Sequence, residues 1–325
     1  MLLESVKKAE KNPFRKMAVP SQTSIEKGGA TGSLGLIPTM SQGHAAELAR
    51  SLLEEAAKTA AGAAQEEKPF YLLITAGGDG TSLEVMSALY HAPHEIRRDF
   101  VILRLPMGTG NDGADSFDLD KALDLIIEKS EPGYQRVLSL RTASGRGPFL
   151  AFNILSVGAD AFVTHMTNKM KGRLPGDSYK LWVDIAALFY DIIYKIGYFD
   201  IRSTDENGNE VQAFREKLLL LAVGESGHRS YGSRKLILPD ERNVCVLKKM
   251  PVYRKLFLKG LLNNGTHIKE PEAILWNARS VEFSTEYPLL AQMDGEAIVL
   301  NKNDYPAVIE LSDPIIPVLK LNTFP

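Results

Sequence analysis

The sequence predicts an α/β domain followed by a β-rich domain. Up to about residue 135, apolar runs of strand length alternate with segments of helical period, the order of a doubly wound parallel sheet. From about Arg136 the chain becomes a series of short β-like runs, the pattern of a sandwich or flattened barrel. Between the run Pro69-Phe70-Tyr71-Leu72-Leu73-Ile74-Thr75 and a helix-like segment lies Gly77-Gly78-Asp79-Gly80-Thr81. Strand, glycine turn and helix start, in that order, make an anion-binding loop.

In the first domain, residues 34–39 read as a short strand and 43–59 as a helix with Ala45, Leu48, Leu52 and Ala56 on one side. Strands follow at 70–75 and 100–105, with helices at 81–90 and 120–128 and a loop at 106–112. In the second domain, β-like runs fall at 136–142, 149–156, 199–203, 211–223, 244–248, 280–284, 289–293 and 297–300. Helical stretches at 179–196 and 253–262 interrupt them, and 204–209 reads as a hairpin turn. The expected domains are 1–135 and 136–304.

Composition is that of an ordinary soluble chain: 325 residues, 44% hydrophobic and 24% charged. A net charge of −2 argues against a dedicated nucleic-acid binder. The single cysteine, Cys245, cannot form an internal disulfide, which fits a reducing compartment. Residues 1–16 read as an amphipathic helix and not as a secretory signal. The best membrane-span candidate, 182–196, is interrupted by Asp184 and Asp191 and is shorter than the ~20 apolar residues required. The histidines show no metal-ligand spacing, so zinc is not expected.

The chemistry concentrates in three places. In the first loop, Gly77, Gly78, Gly80 and Thr81 let the backbone approach phosphate oxygens. A carboxylate there, Asp79, is repelled by phosphate unless a divalent cation lies between them, so the loop points to a metal–nucleotide. The second loop, Pro106-Met107-Gly108-Thr109-Gly110-Asn111-Asp112, lies about one βαβ unit downstream and shares the first loop's crevice. Gly108 and Gly110 permit close approach, and Thr109 and Asn111 can hydrogen-bond phosphates. Asp112 can act on a metal directly or through water, and a plain turn is the alternative. The third place is Met293-Asp294-Gly295-Glu296, which is either a hairpin turn or the site of a general base, Glu296. Thr39, ahead of Gly43-His44-Ala45, reads as part of a helix N-terminal turn, although its hydroxyl could reach adenosine or phosphate. The basic and apolar segment 167–174 leads into the aromatic stretch up to Tyr194. It is either a core helix with a solvated flank or a surface that meets anionic lipid.

Taken together, the two glycine loops and Asp294-Gly295-Glu296 resemble the diacylglycerol kinase catalytic family, in particular its soluble bacterial lipid kinases. Thr39…Gly43-His44-Ala45 and the stretch Phe152-Asn153-Ile154-Leu155-Ser156-Val157-Gly158-Ala159-Asp160-Ala161 carry the same likeness. The resemblance implies ATP- and Mg²⁺-dependent phosphorylation of a lipid hydroxyl in a cleft between an α/β domain and a β-sandwich. It implies Glu296 as proton acceptor, Asp79 beside the metal–ATP complex, and a tail, 305–325, that packs back on the first domain. The nucleotide would lie against Thr39, Gly77, Gly78, Gly80, Thr81, Gly108, Thr109, Gly110 and Asn111. Asp112 and Asp240 are the candidate metal ligands. The expected partners are a lipid substrate and, transiently, a membrane surface, with room for a homodimer. The expected location is the cytoplasm, peripheral to the inner membrane surface.

Two stretches depart from the family pattern. Asn12-Pro13 has no preceding strand, and Gly28-Gly29-Ala30-Thr31-Gly32 does not replace the family's first phosphate loop. Pro239-Asp240-Glu241-Arg242-Asn243-Val244 keeps only the first half of an acidic segment near a structural metal. The alternatives are an NAD kinase-like enzyme, which shares the first loop, and a non-catalytic nucleotide- or lipid-binding pseudokinase.

Overall fold

The computed structural model describes residues 23–27, 30–62, 70–108, 113, 116, 118–127, 131–170, 188–231 and 235–319. The expected amphipathic helix at 1–16, Asn12-Pro13, Gly28-Gly29, residues 109–112, and 171–187 of the basic and aromatic stretch lie outside them.

The first strands, β1 (Thr23–Lys27) and β2 (Ala30–Leu34), pair antiparallel with each other. Residues 35–40 are irregular, so the strand expected at 34–39 is not formed. The reason is local. Pro38 has no N–H for a ladder, and Leu36 and Ile37 are exposed with no sheet against them.

The first half is built on β3 (Tyr71–Thr75), β4 (Phe100–Arg104) and β5 (Gly133–Gln135). Three helices accompany it: α1 (His44–Gly62), α2 (Asp79–His91) and the single turn α3 (His94–Arg97). A fourth, α4 (Leu119–Ile127), follows β4. β3 and β4 run parallel, and both are apolar because the sheet is covered on both faces. One cover is α1 and α2, which pack Ala45, Ala49, Leu53, Met86 and Leu89 over Phe100 and Ile102. The other is α4, with Ala122, Leu123 and Leu125 against Val101 and Leu103.

The second half comprises β6 (Leu138–Thr142), β7 (Phe149–Ala151), β8 (Ile154–Gly158), helix α5 (Ala159–Met170) and the short helix α6 (Tyr190–Ile193). Then come β9 (Tyr198–Thr204), β10 (Glu210–Gly224), β11 (Arg229–Tyr231), β12 (Lys235–Leu238), β13 (Val244–Lys248) and helix α7 (Val252–Leu262). The last strands are β14 (Ala273–Trp276), β15 (Ser280–Thr285), β16 (Leu289–Met293), β17 (Glu296–Leu300), β18 (Ala307–Leu311) and β19 (Ile316–Val318).

The fifteen-residue β10 belongs to two layers. Its first half pairs with β9, and its second half pairs with β8 and β13. The layers enclose one core, in which Phe199, Phe283 and Ile309 of one face Val157, Leu221 and Ala291 of the other. A second apolar cluster lies on the outside of the β8–β10–β13 layer, where Phe162, Tyr190, Leu258 and Leu262 cover it.

The run expected as one strand at 149–156 is two, β7 and β8, with different partners. The break falls at Phe152-Asn153, whose backbone N–H groups donate to the carboxylate of Asp294 instead of to a strand. The chain ends by returning to the first half, where β19 lies parallel to β4 and antiparallel to β5.

Candidate active site

Two glycine loops meet at the carboxyl ends of β3 and β4. Helix α2 begins at Asp79, and Gly78 is its N-cap residue in extended conformation with no side chain capping the helix start. The N–H groups of Thr81 and Ser82 return to the Gly78 carbonyl at 3.1 and 3.3 Å. Such a start directs backbone donors outward, and the helix dipole adds positive potential. Thr81 folds back over Gly77, where a Cβ would stand only 2.8 Å from the Thr81 hydroxyl, so that position demands glycine. Behind the loop, the Thr75 and Ser82 hydroxyls are 3.0 Å apart and tie the strand end to the helix.

The second loop lies alongside. A Cβ on Gly78 would be 3.9 Å from the Gly108 Cα. The N–H of Gly113 donates to Asp79 Oδ1 at 3.1 Å, fixing the carboxylate against the far end of that loop. Thr109, Gly110, Asn111 and Asp112 lie outside the described residues.

The start of α1 is differently employed. Both Glu84 oxygens accept from it: Gly43 N–H at 2.7 Å, and Ala45 and Ala46 N–H at 3.1 and 3.3 Å. This carboxylate satisfies the orphan donors of α1 and opposes its dipole. The helix start left without a side-chain cap is therefore that of α2 and not that of α1. Thr39 is exposed in irregular chain just ahead of α1.

Glu296 reaches this loop from the second half. Its Oε1 stands 3.7 Å from the position a Cβ on Gly80 would take. It opens β17 immediately after a hairpin turn in which Asp294 and Gly295 have φ of 45° and 94°. A positive φ at a non-glycine residue is strained, and three hydrogen bonds hold it. The Asp294 carboxylate accepts the N–H groups of Phe152, Asn153 and Ile154 at 2.5, 3.1 and 2.9 Å. Burial pushes Asp294 up to about 6, against the lowering effect of those N–H groups and of Arg104.

Gly295 is held on both sides. Its N–H donates to Gln292 Oε1 at 3.1 Å, and its carbonyl accepts from Asn168 Nδ2 at 2.8 Å. Gln292 is oriented in turn by a buried pair. Its Nε2 donates to Ser156 Oγ at 3.0 Å and to Asp160 Oδ2 at 3.1 Å, while Ser156 donates to Asp160 at 2.5 Å. Burial raises Asp160 to about 6. A buried, fully bonded network of this kind fixes the rotamers of its members, and so the aim of Glu296.

Arg104, buried at the end of β4, links the two halves. Its Nη2 donates to Gln135 Oε1 at 2.9 Å, and Gln135 Nε2 donates to the Phe152 carbonyl beside the Asp294 cradle. Sequence reasoning did not single out Arg104, Gln135, Gln292, Asn168 or Glu84. The signals were present: polar residues at apolar-strand positions (Arg104, Gln292) and a glutamate on a helix that also buries an apolar face.

Among the described residues, no group of three or more His, Cys, Asp or Glu is arranged to hold a metal. Asp240 is engaged by Arg242, whose Nε and Nη2 donate to its carboxylate and hold it below the usual range. Mg²⁺ that arrives with a nucleotide needs only one or two carboxylates, since phosphates and water supply the remaining oxygens. Asp79 at the uncapped helix start fits that use. A resident metal cage is not built by the described residues.

Residues 27–137 match the family model described as the diacylglycerol kinase catalytic domain. Over this stretch the chain is similar to that family. The curated diacylglycerol kinase of Staphylococcus carnosus is 26% identical over 243 residues, 71% of each chain. A crystal structure of a diacylglycerol kinase from Bacillus anthracis aligns with a TM-score of 0.50 at 14% identity, covering 87% of this chain and 84% of that one. A second structure from the same organism aligns with a TM-score of 0.57 at 16% identity, covering 87% and 83%. These structures share the mixed fold of a parallel-sheet domain and an antiparallel β-rich domain. The domain match and the names of these relatives support an enzyme of the lipid-kinase class.

Proposed function

We propose that this enzyme transfers the γ-phosphate of ATP to the hydroxyl of a lipid, diacylglycerol or a close relative. The observation that carries the reading is the approach of Glu296, from the β-rich half, to Gly80 in the phosphate-binding loop of the α/β half. A carboxylate has no other evident business at the mouth of a loop built for anions, where it repels phosphate unless it takes a proton.

In the reaction, the backbone of Gly77, Gly78, Gly80 and Thr81 and the start of α2 hold the phosphates. Gly108 flanks them; Thr109, Gly110 and Asn111 are assigned to the same contact by the sequence motif, and Thr39 to the nucleoside side by the family likeness. Mg²⁺, when bound with ATP, neutralises phosphate charge near Asp79, with Asp112 as the second candidate carboxylate. Glu296 accepts the proton of the lipid hydroxyl as that oxygen bonds to the γ-phosphorus. The bond from the γ-phosphorus to the bridging oxygen breaks, and ADP leaves with the electron pair. The Asp294 cradle and the Gln292–Ser156–Asp160 network hold Glu296 in position, so little reorganisation is needed during the step. The phosphorylated lipid would then enter phospholipid synthesis. A lipid acceptor also implies transient contact with a membrane surface, at the cytoplasmic face.

The test is a radiolabelled-ATP assay with Mg²⁺ over diacylglycerol, ceramide, a sphingoid base, phosphatidylglycerol and NAD. Label transferred to a lipid alcohol is the expected result. Transfer to NAD alone, or to no lipid, would overturn the proposal.

A further inference from the structure

The large apolar side chains left outside the two halves are not scattered evenly. Among the described residues, Phe189, Ile192 and Ile193 are exposed at α6, and Tyr253, Leu256 and Phe257 are exposed on α7. Ile192 and Tyr253 are 71% and 70% exposed. On α7 the exposed residues follow i, i+3, i+4 spacing. They lie opposite Lys255, Leu258 and Leu262, which are buried against the outer sheet layer. The two helices are joined, since Lys255 Nζ donates to the Leu188 carbonyl at 2.9 Å and pairs with the Asp191 carboxylate, both groups buried. Large apolar side chains gathered on one face are uncommon on a protein that meets only water.

We propose that this α6–α7 face is the surface by which the enzyme docks on an anionic lipid bilayer, an inference that rests on the lipid-kinase reading. Two observations select a bilayer as occupant. First, residues 248–259 carry Lys248, Lys249, Arg254, Lys255 and Lys259 with no acidic residue among them. Glu216, the Glu270 and Glu272 pair, and Asp191 offset Lys248, Arg254 and Lys255, while Lys249 stands exposed at the approach to α7. Apolar side chains flanked by lysines suit insertion below anionic headgroups. Second, the face is packed through α6 onto the helix that holds the catalytic turn. Tyr190 and Tyr194 pack on Phe162 of α5, each with ring centroids 5.4 Å away. Six residues, ~9 Å, further along that helix, Asn168 holds the Gly295 carbonyl beside Glu296. A bilayer in contact with α6 and α7 therefore meets elements packed on the helix that positions the base.

The wild type and the variant Ile192→Ser/Ile193→Ser/Leu256→Ser/Phe257→Ser are sedimented with vesicles of phosphatidylcholine, with and without phosphatidylglycerol. The expected result is wild-type binding that strengthens with phosphatidylglycerol, and a vesicle partition coefficient about 100-fold lower in the variant. Melting curves check that the variant is folded. A Tyr253→Trp protein, which keeps the apolar face, should show blue-shifted emission on vesicle addition. Phosphorylation of a short-chain diacylglycerol dissolved as monomers should be equal in wild type and the serine variant. Loss of vesicle binding with that soluble activity retained supports the docking surface. If neither protein phosphorylates any lipid alcohol but the partition difference holds, the docking surface stands and the kinase reading falls. Equal partition of wild type and variant, absence of wild-type binding, or a change of oligomeric mass with vesicle binding intact would overturn the proposal.

Discussion

Gly80→Ala should separate folding from catalysis. Gly80 lies in the first turn of α2, and among the described residues the one neighbour a Cβ would meet within 4 Å is Glu296 Oε1, at 3.7 Å. That is ordinary van der Waals contact, so the methyl group fits. Replacing glycine by alanine at a compatible helical position raises stability by about 0.5 kcal/mol, chiefly by restricting the unfolded chain. The same methyl occupies the space between base and loop. An acceptor hydroxyl must come within about 3 Å of the carboxylate while facing phosphates at the helix start, and a carbon 3.7 Å from Oε1 excludes it. General-base assistance and alignment would be lost together, lowering kcat by about 10²- to 10⁴-fold, or about 3–5 kcal/mol of barrier. The assay pairs steady-state ADP release with a melting curve and an ATP titration on the same preparation. A folded Gly80→Ala protein that binds ATP and turns over at the wild-type rate would refute the placement of the reaction between Gly80 and Glu296.

Three further outcomes follow from the same geometry. Glu84→Ala removes the carboxylate that accepts three N–H groups at the start of α1 and should cost about 1–2 kcal/mol in urea unfolding; an unchanged midpoint would contradict the capping role. Asp294→Asn leaves one acceptor oxygen for the N–H groups of Phe152, Asn153 and Ile154, and should cost about 1–3 kcal/mol and reduce kcat together. Retained activity in that variant would show that the cradle does not position Glu296. Asp160 has its folded pKa raised to about 6 from 3.8, so its contribution to stability is present at low pH and is lost as pH rises through about 6. Acidifying from about pH 7.5 to about pH 5 should stabilise the wild type by about 1.4 kcal/mol more than Asp160→Asn; equal pH dependence in paired denaturant titrations would contradict that shift.

The sequence carried the outline of the fold because its periodicities were local. β3, α2 and β4 fall where apolar runs and helical spacing place them, and the loop after β3 announces itself by glycines with an aspartate among them. Residues 34–39 misled because an apolar run was read without Pro38, which removes a ladder donor. Residues 149–156 misled for a nonlocal reason. Their break is made by Asp294, some 140 positions away in sequence, taking the N–H groups that a continuous strand would use. The site divides in the same way. Glycines and acids in short motifs were legible. The residues that aim them were not, since Arg104, Gln135, Gln292 and Asn168 act through partners that only the tertiary fold brings near.

The central claim is that Glu296, held across the boundary between the two halves, removes the proton of the lipid hydroxyl. The most direct test is Glu296→Gln, which keeps the side chain's size and removes its basicity, measured in a single preparation for Mg–ATP affinity and for phosphoryl transfer to diacylglycerol. The account predicts unchanged ATP affinity and transfer at least ~100-fold slower. Transfer at the wild-type rate with normal ATP binding would contradict it.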